Sequence, residues 1–165
     1  MFTGFTDETV DFMWGIRFNN ERGWFLEHKQ QYQTQLLEPT RVYARDILAM
    51  IAAAQVHAIS HITGGGLANN LVRVLPDGIA VTIDRRTWTP PPIFGLVQSV
   101  GQVSQADIEA TLNQGVGMAL VLPPESVDAV RRVAAARGID SWVAGHASAS
   151  NAPASVTLQG DHPQG

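Results

Sequence analysis

A chain of 165 residues has room for one domain, or one domain and an appendage. Apolar residues make up 45% of it, and a net charge of −4 with an isoelectric point near 5.6 offers no basic face of the kind nucleic acid needs. The absence of cysteine excludes disulfides, thiolate metal sites and a cysteine nucleophile. No apolar run approaches the ~18 residues of a membrane span, and Met1–Asp7 lacks the basic and apolar regions of a secretory signal. A cytoplasmic protein with neither nucleic acid nor membrane as partner is expected.

In chain order, Thr6 can cap a helix over 6–19, with Phe5 and Val10 as a staple and Val10, Met13, Trp14 and Phe18 as its apolar stripe. Asn19-Asn20 is a turn, and Phe25, His28, Tyr32 and Leu36 continue a helical pattern over 21–37. Pro39 is placed to start a third helix, about 39–54, with Tyr43, Ile47, Met50, Ile51 and Ala54 on one face. The character then changes. Val56–Ile62 reads as a buried strand, and Leu67, Leu71, Val74 and Leu75 as a helix after three glycines. Pro76-Asp77-Gly78 is a turn into a strand through Ile79, Val81 and Ile83. Helices follow near 92–100 and 105–112, the second with Ser104 and Asp107 as a capping box. Val116–Leu122 is a strand. A helix over 125–137 turns Val127, Val130 and Ala134 inward and ends at Gly138. Ser141–Ala147 is a further strand, and Val156–Leu158 is a candidate short one in a tail rich in Ala, Ser, Pro and Gly. Alternating strands and helices after residue 55 give an α/β or α+β sheet layer. The expected organisation is a helical segment at 1–37, a domain at 38–150 and a flexible tail at 151–165.

The chemistry concentrates at His61-Ile62-Thr63-Gly64-Gly65-Gly66. Glycines between a strand and a helix can free backbone amides for an anion, or serve only as a tight turn that needs positive φ. The loop is neither a Walker A sequence nor a full GxGxxG. His57 and His61, on one face of a strand, stand about 13 Å apart, too far to share a metal. They suit core or cleft positions, His61 being the better candidate to donate to a phosphate. Asn69 and Asn70 can reach a ligand or line a solvated helix. Asn113-Gln114-Gly115 is a second glycine turn, which lines the same cleft or merely stops a helix. Asp84, at a strand end, fits a turn better than a metal, and Trp88, Phe94 and Trp142 read as core. No serine–histidine–aspartate order and no carboxylate pair stands out, so no residue is assigned a catalytic role and none a metal.

From about Leu37 to Ala147 the chain resembles the C-terminal domain of phosphoribosylformylglycinamidine cyclo-ligase, or AIR synthetase. The residues that carry the likeness are Glu38-Pro39-Thr40-Arg41-Val42-Tyr43, Val56 through Leu67, Asn70, Arg73-Val74-Leu75-Pro76, Asp84, Trp88, Pro91-Pro92-Ile93-Phe94, Asn113 through Met118 and Trp142-Val143-Ala144-Gly145. Residues 1–36 resemble instead the start of an uncharacterised bacterial family, through Phe2-Thr3-Gly4-Phe5 and Asn19 through Phe25. Leu112 and Gln114 depart from the cyclo-ligase pattern. The resemblance implies a mixed sheet with helices packed on it, and a family reaction that closes an imidazole ring in purine biosynthesis with ATP and Mg2+. It implies that His61, Thr63, Gly64, Gly65 and Gly66 hold a phosphate of a purine-pathway ribonucleotide, with Asn113 and Gly115 nearby. It also implies a preceding domain that supplies the metal ligands and much of the ATP site. The chain is therefore expected to be a truncated, rearranged cyclo-ligase, inactive alone and in that case without a cofactor of its own. The alternatives are a non-catalytic interaction module, for which an open strand edge allows homo-oligomers, and an artificial fusion with no evolved function.

Overall fold

The computed structural model describes residues 41–163, together with 15, 22–24, 26, 27 and 29. It divides into two compact units, Met1–Val42 and Tyr43–Gly165. In the first, every described residue from Gly15 to Lys29 is helical. Gly15 lies so close to the Trp24 indole that a methyl group there would overlap the ring. The expected cap Thr6, the staple Phe5–Val10 and the stripe of Val10, Met13, Trp14 and Phe18 lie outside the described residues, as do Pro39 and Thr40.

The second unit opens with α1 (Ala44–Ala53), which starts later than expected because Arg41–Tyr43 are not helical. Then come β1 (Ala58–His61), α2 (Gly66–Leu71) with a 3-10 turn at Val72–Val74, and β2 (Ile79–Asp84) with a 3-10 turn at Arg85–Thr87. Helices α3 (Pro92–Gly101) and α4 (Gln105–Thr111) lead to β3 (Met118–Val121), α5 (Val127–Ala136), β4 (Gly145–Ala149) and β5 (Ser155–Gln159). The mixed α/β class is as expected, but the strands form two sheets. One is an antiparallel ribbon of β1 and β3, with His61 opposite Met118. The other has the order β4-β2-β5, with β4 antiparallel and β5 parallel to β2.

Alternation along β3 explains the layering. Ala119 and Val121 join the main core of Ile62, Leu67, Leu71, Val81, Ile83 and Val116, which the three-stranded sheet also faces. Leu120 points the other way, into a second core of Met50, Val130 and Ala134 beneath α1 and α5. β3 thus packs on both faces, which suits its continuous apolar sequence Met118–Val121.

Local chemistry sets the helix ends. The Ser104 hydroxyl accepts the Asp107 N–H at 3.1 Å and donates to its carboxylate at 2.6 Å, the capping arrangement read from the sequence. At the end of α5, Gly138 has φ 67°; its N–H bonds Ala135 O and that of Ile139 bonds Ala134 O, a Schellman stop that glycine makes without strain.

Two expectations need correction. Ile51 is 46% exposed, while Asp46 is buried. The face of α1 toward the core runs through Asp46, Ile47, Met50 and Ala54, and Ile51 lies about 100° round from Met50. Asp46 is matched there by Arg137 at 2.5 Å. The strand expected over 141–147 begins only at Gly145, because β2 turns away after Asp84 and leaves Trp142 and Val143 nothing to pair with. Trp142 stacks instead on Trp88 at 6.1 Å and stays 37% exposed. The short strand expected at Val156–Leu158 is present as β5, one residue longer at each end, and a half-buried His162 follows it.

Candidate functional site

β1 leaves the ribbon at His61, directly opposite the start of β3 at Met118. The loop that follows β1 and the turn that precedes β3 therefore lie at the same end. Ile62 N–H bonds Gly117 O at 2.9 Å and Gly65 N–H bonds Thr111 O at 3.2 Å, which joins the two. The expected site residues His61, Thr63, Gly64, Gly65, Gly66, Asn113 and Gly115 are thereby gathered in one neighbourhood.

The glycine loop itself is built differently from an open amide cradle. Gly65 and Gly66 have φ of 99° and 71°. Gly66 is buried where α2 crosses α4, and a methyl group there would overlap the Glu109 carbonyl oxygen. Only glycine fits that crossing. The Gly65 amide is committed to Thr111, and the Gly66 amide bonds Thr63 O at 3.2 Å. Asn70 closes the turn from within. Its Nδ2 donates to the carbonyls of Thr63, Gly64 and Gly66 at 3.3, 3.2 and 2.7 Å. Asn70 is thus a buried brace, while Asn69 beside it is exposed.

The outward groups are His61, Thr63, Gly64, Asn69 and Arg73, all exposed. Neither histidine is a core residue. His57 is exposed at the far end of β1, and His61 is exposed with its ring edge against Tyr43, 6.1 Å between centroids. Tyr43 in turn covers Gly117, where any side chain would collide with its ring. Arg73 brings its guanidinium beside Gly65. It was legible only as one landmark of the Arg73–Pro76 motif, since its position over the loop depends on the 3-10 turn that follows α2.

In the second turn, Asn113 Oδ1 accepts the Gly115 N–H at 3.1 Å and Asn113 O accepts the Val116 N–H at 2.9 Å. Gln114 is buried with φ 51°, and its carbonyl accepts Trp88 Nε1–H at 3.2 Å. These polar groups hold the turn in shape.

Elsewhere the carboxylates of Asp46, Asp84 and Glu109 are each paired with an arginine. Asp84 accepts the Arg86 amide at 2.9 Å and its guanidinium at 2.8 Å, which hold its carboxyl down at about 2. It is a turn residue, as expected. Glu109, buried on α4, meets Arg85 through two hydrogen bonds and Gln105 Nε2 at 2.8 Å. Burial pushes the Glu109 carboxyl up, but these hydrogen bonds and the charges of Arg85 and His162 outweigh it, and the net shift is downward. Glu109 in turn raises Arg85. No spacing in the sequence pointed to this pair. Among the described residues, no three His, Asp or Glu side chains come together as metal donors. No described helix is long and apolar enough to cross a membrane.

The family described as AIR synthase related protein, C-terminal domain, matches residues 13–156, a span that begins upstream of the boundary expected between residues 37 and 38. A Streptomyces fradiae protein, provisionally named a phosphoribosylformylglycinamidine cyclo-ligase, is 53% identical over 133 residues, covering 78% of this chain and 72% of its own length. The phosphoribosylformylglycinamidine cyclo-ligases of Symbiobacterium thermophilum and Anaeromyxobacter sp. are each 44% identical, over 115 and 110 residues. Those alignments cover 70% and 67% of this chain but only 33% and 32% of the relatives, so the chain spans about a third of their length. The chain belongs to the AIR synthase related family through its C-terminal domain.

Proposed function

We propose that this member of the family serves the ATP-dependent ring closure of formylglycinamidine ribonucleotide in purine biosynthesis, and that its part is to hold the ribonucleotide's phosphate. One observation carries the reading: Arg73 stands over the glycine loop at the end of the ribbon where Thr63, Gly64 and His61 are exposed. With the Gly65 and Gly66 amides already committed, the anion is taken by the Arg73 guanidinium and the Thr63 hydroxyl, with His61 and the Gly64 backbone beside them. Guanidinium–phosphate hydrogen bonds are among the strong ones. Asn113 and Gly115 shape the neighbouring turn without touching the ligand. ATP and Mg2+ belong to the part of the enzyme that the relatives carry outside the aligned third, and the 165 residues alone bind without turnover.

Calorimetric titration with the ribonucleotide tests this. The intact chain is expected to bind it, and Arg73→Ala to weaken binding at least about tenfold, the effect of roughly 1.4 kcal/mol, with the melting temperature unchanged. Equal binding by Arg73→Ala would overturn the assignment. Ring closure by the pure chain at the rate of a full-length enzyme would overturn the division of labour. The exposed Leu48 and Ile51 on α1 favour self-association as a second reading. A clean monomer in sedimentation at every concentration would remove it.

A further inference from the structure

We propose that His162 is a proton-dependent anchor: the C-terminal strand docks with this ring as an imidazolium and loosens when the ring gives up a proton. β5 ends at Gln159, and Gly160 turns the chain so that the His162 ring enters edge-on against Trp88, 4.5 Å between centroids. There Nδ1 lies 3.0 Å from the Arg85 carbonyl oxygen and 3.3 Å from that of Trp88. Carbonyl oxygens only accept, so Nδ1 carries a hydrogen. Nε2, on the other side of the ring, is enclosed without a hydrogen-bond partner and faces Glu109 Oε1 at 3.5 Å.

That pairing decides the protonation. With a hydrogen on Nδ1, a neutral ring presents the Nε2 lone pair to a carboxylate oxygen, so two buried acceptors meet with no proton between them. Glu109 is kept ionised by Arg85 and Gln105 and cannot supply the missing hydrogen. A second proton on the ring turns the same contact into a charge-assisted hydrogen bond.

The surrounding charges accommodate the added cation. Arg85 faces the ring from the turn after β2, Glu109 from α4, and Asp161 precedes it on its own segment. The Asp84–Arg86 pair flanks Gly160 and is neutral as a unit. Arg85 and His162 are thus balanced by Glu109 and Asp161.

Because β5 pairs only with β2 in its sheet, the ring fastens the last strand at its C-terminal end. With hydrogen on both ring nitrogens, the docked state holds one proton more than an undocked neutral ring. The stabilisation is therefore complete at low pH and is lost as pH rises.

The test uses the full chain. NMR of the His162 ring nitrogens and hydrogen exchange of the β5 amides are followed together from about pH 5 to about pH 8, the range over which imidazoles change charge. Both ring nitrogens are expected to bear hydrogen at the acid end. Protection of β5 is expected to fall about tenfold or more as the Nε2 hydrogen is lost, the size of one charge-assisted bond. His162→Gln is expected to show less than about a twofold change over the same range. A singly protonated ring at the acid end with β5 protected, a wild-type β5 whose protection ignores pH, or the same fall in His162→Gln would each overturn the proposal. If His162→Gln does not fold, the wild-type ring and exchange data decide alone.

Discussion

Arg85 and Glu109 face each other through two parallel hydrogen bonds, Nε to Oε1 at 2.6 Å and Nη2 to Oε2 at 2.7 Å. The pair ties the turn after β2 to α4, and Arg85 Nη1 extends the tie to the Gly160 carbonyl at 3.1 Å. The arginine side chain is 19% exposed and the glutamate 7%, so water does little of the screening that makes surface pairs weak.

Arg85→Ala would leave a buried carboxylate without its counter-charge. The expected loss is about 3 kcal/mol, read from urea denaturation at neutral pH. The pH dependence follows from the direction of the shift. Glu109 is lowered from 4.5 in the folded protein, so its contribution is full above 4.5 and disappears as pH falls through the folded value. The acid limb of the stability curve should flatten in Glu109→Gln. An unaltered acid limb would show that the carboxylate is not ionised in the native state.

Gly64 and Gly66 should behave oppositely although they stand two places apart. A side chain on Gly66 meets the Glu109 carbonyl and an unfavourable φ, whereas Gly64 has nothing within 4 Å. Gly66→Ala is expected to cost at least about 2 kcal/mol, and Gly64→Ala to stay within about 0.5 kcal/mol. Thermal denaturation of the two variants side by side measures this. Equal effects would mean that α2 and α4 are farther apart than described.

Asn70 donates one amide group to three carbonyl oxygens, so an isosteric carboxylate there reverses the sign of every contact. Asn70→Asp should lose about 2–3 kcal/mol at neutral pH and recover part of it on acidification. Asn70→Ala, which only removes the donor, should lose about 1–2 kcal/mol with no such recovery. Identical pH profiles for the two would rule out the brace.

What could be read from the sequence was what neighbours along the chain decide. The Ser104–Asp107 cap, the Gly138 stop and the inward Val130 and Ala134 each depend on groups within a turn or two. The glycine loop was located correctly, but the destinations of its amides were not legible, because Gly65 is satisfied by Thr111 from a distant helix end. Trp142 and Val143 looked like strand by composition; only the early turn of β2 shows that no partner remains for them. The Arg85–Glu109–His162 cluster left no periodic trace, since its three members come from a turn, a helix and the segment that follows β5.

The parallel pairing of β5 with β2 also constrains synthesis. β2 emerges at Ile79–Asp84, yet both of its neighbours, β4 and β5, are drawn from residues after Ala144. A nascent chain must therefore carry Ile79, Val81 and Ile83 unpaired on both sides until Gly145–Gln159 have been made. Such a strand is an aggregation seed while it waits. A stop codon before β4 would then do more harm than shortening the protein, by leaving a permanently open template for cross-strand association.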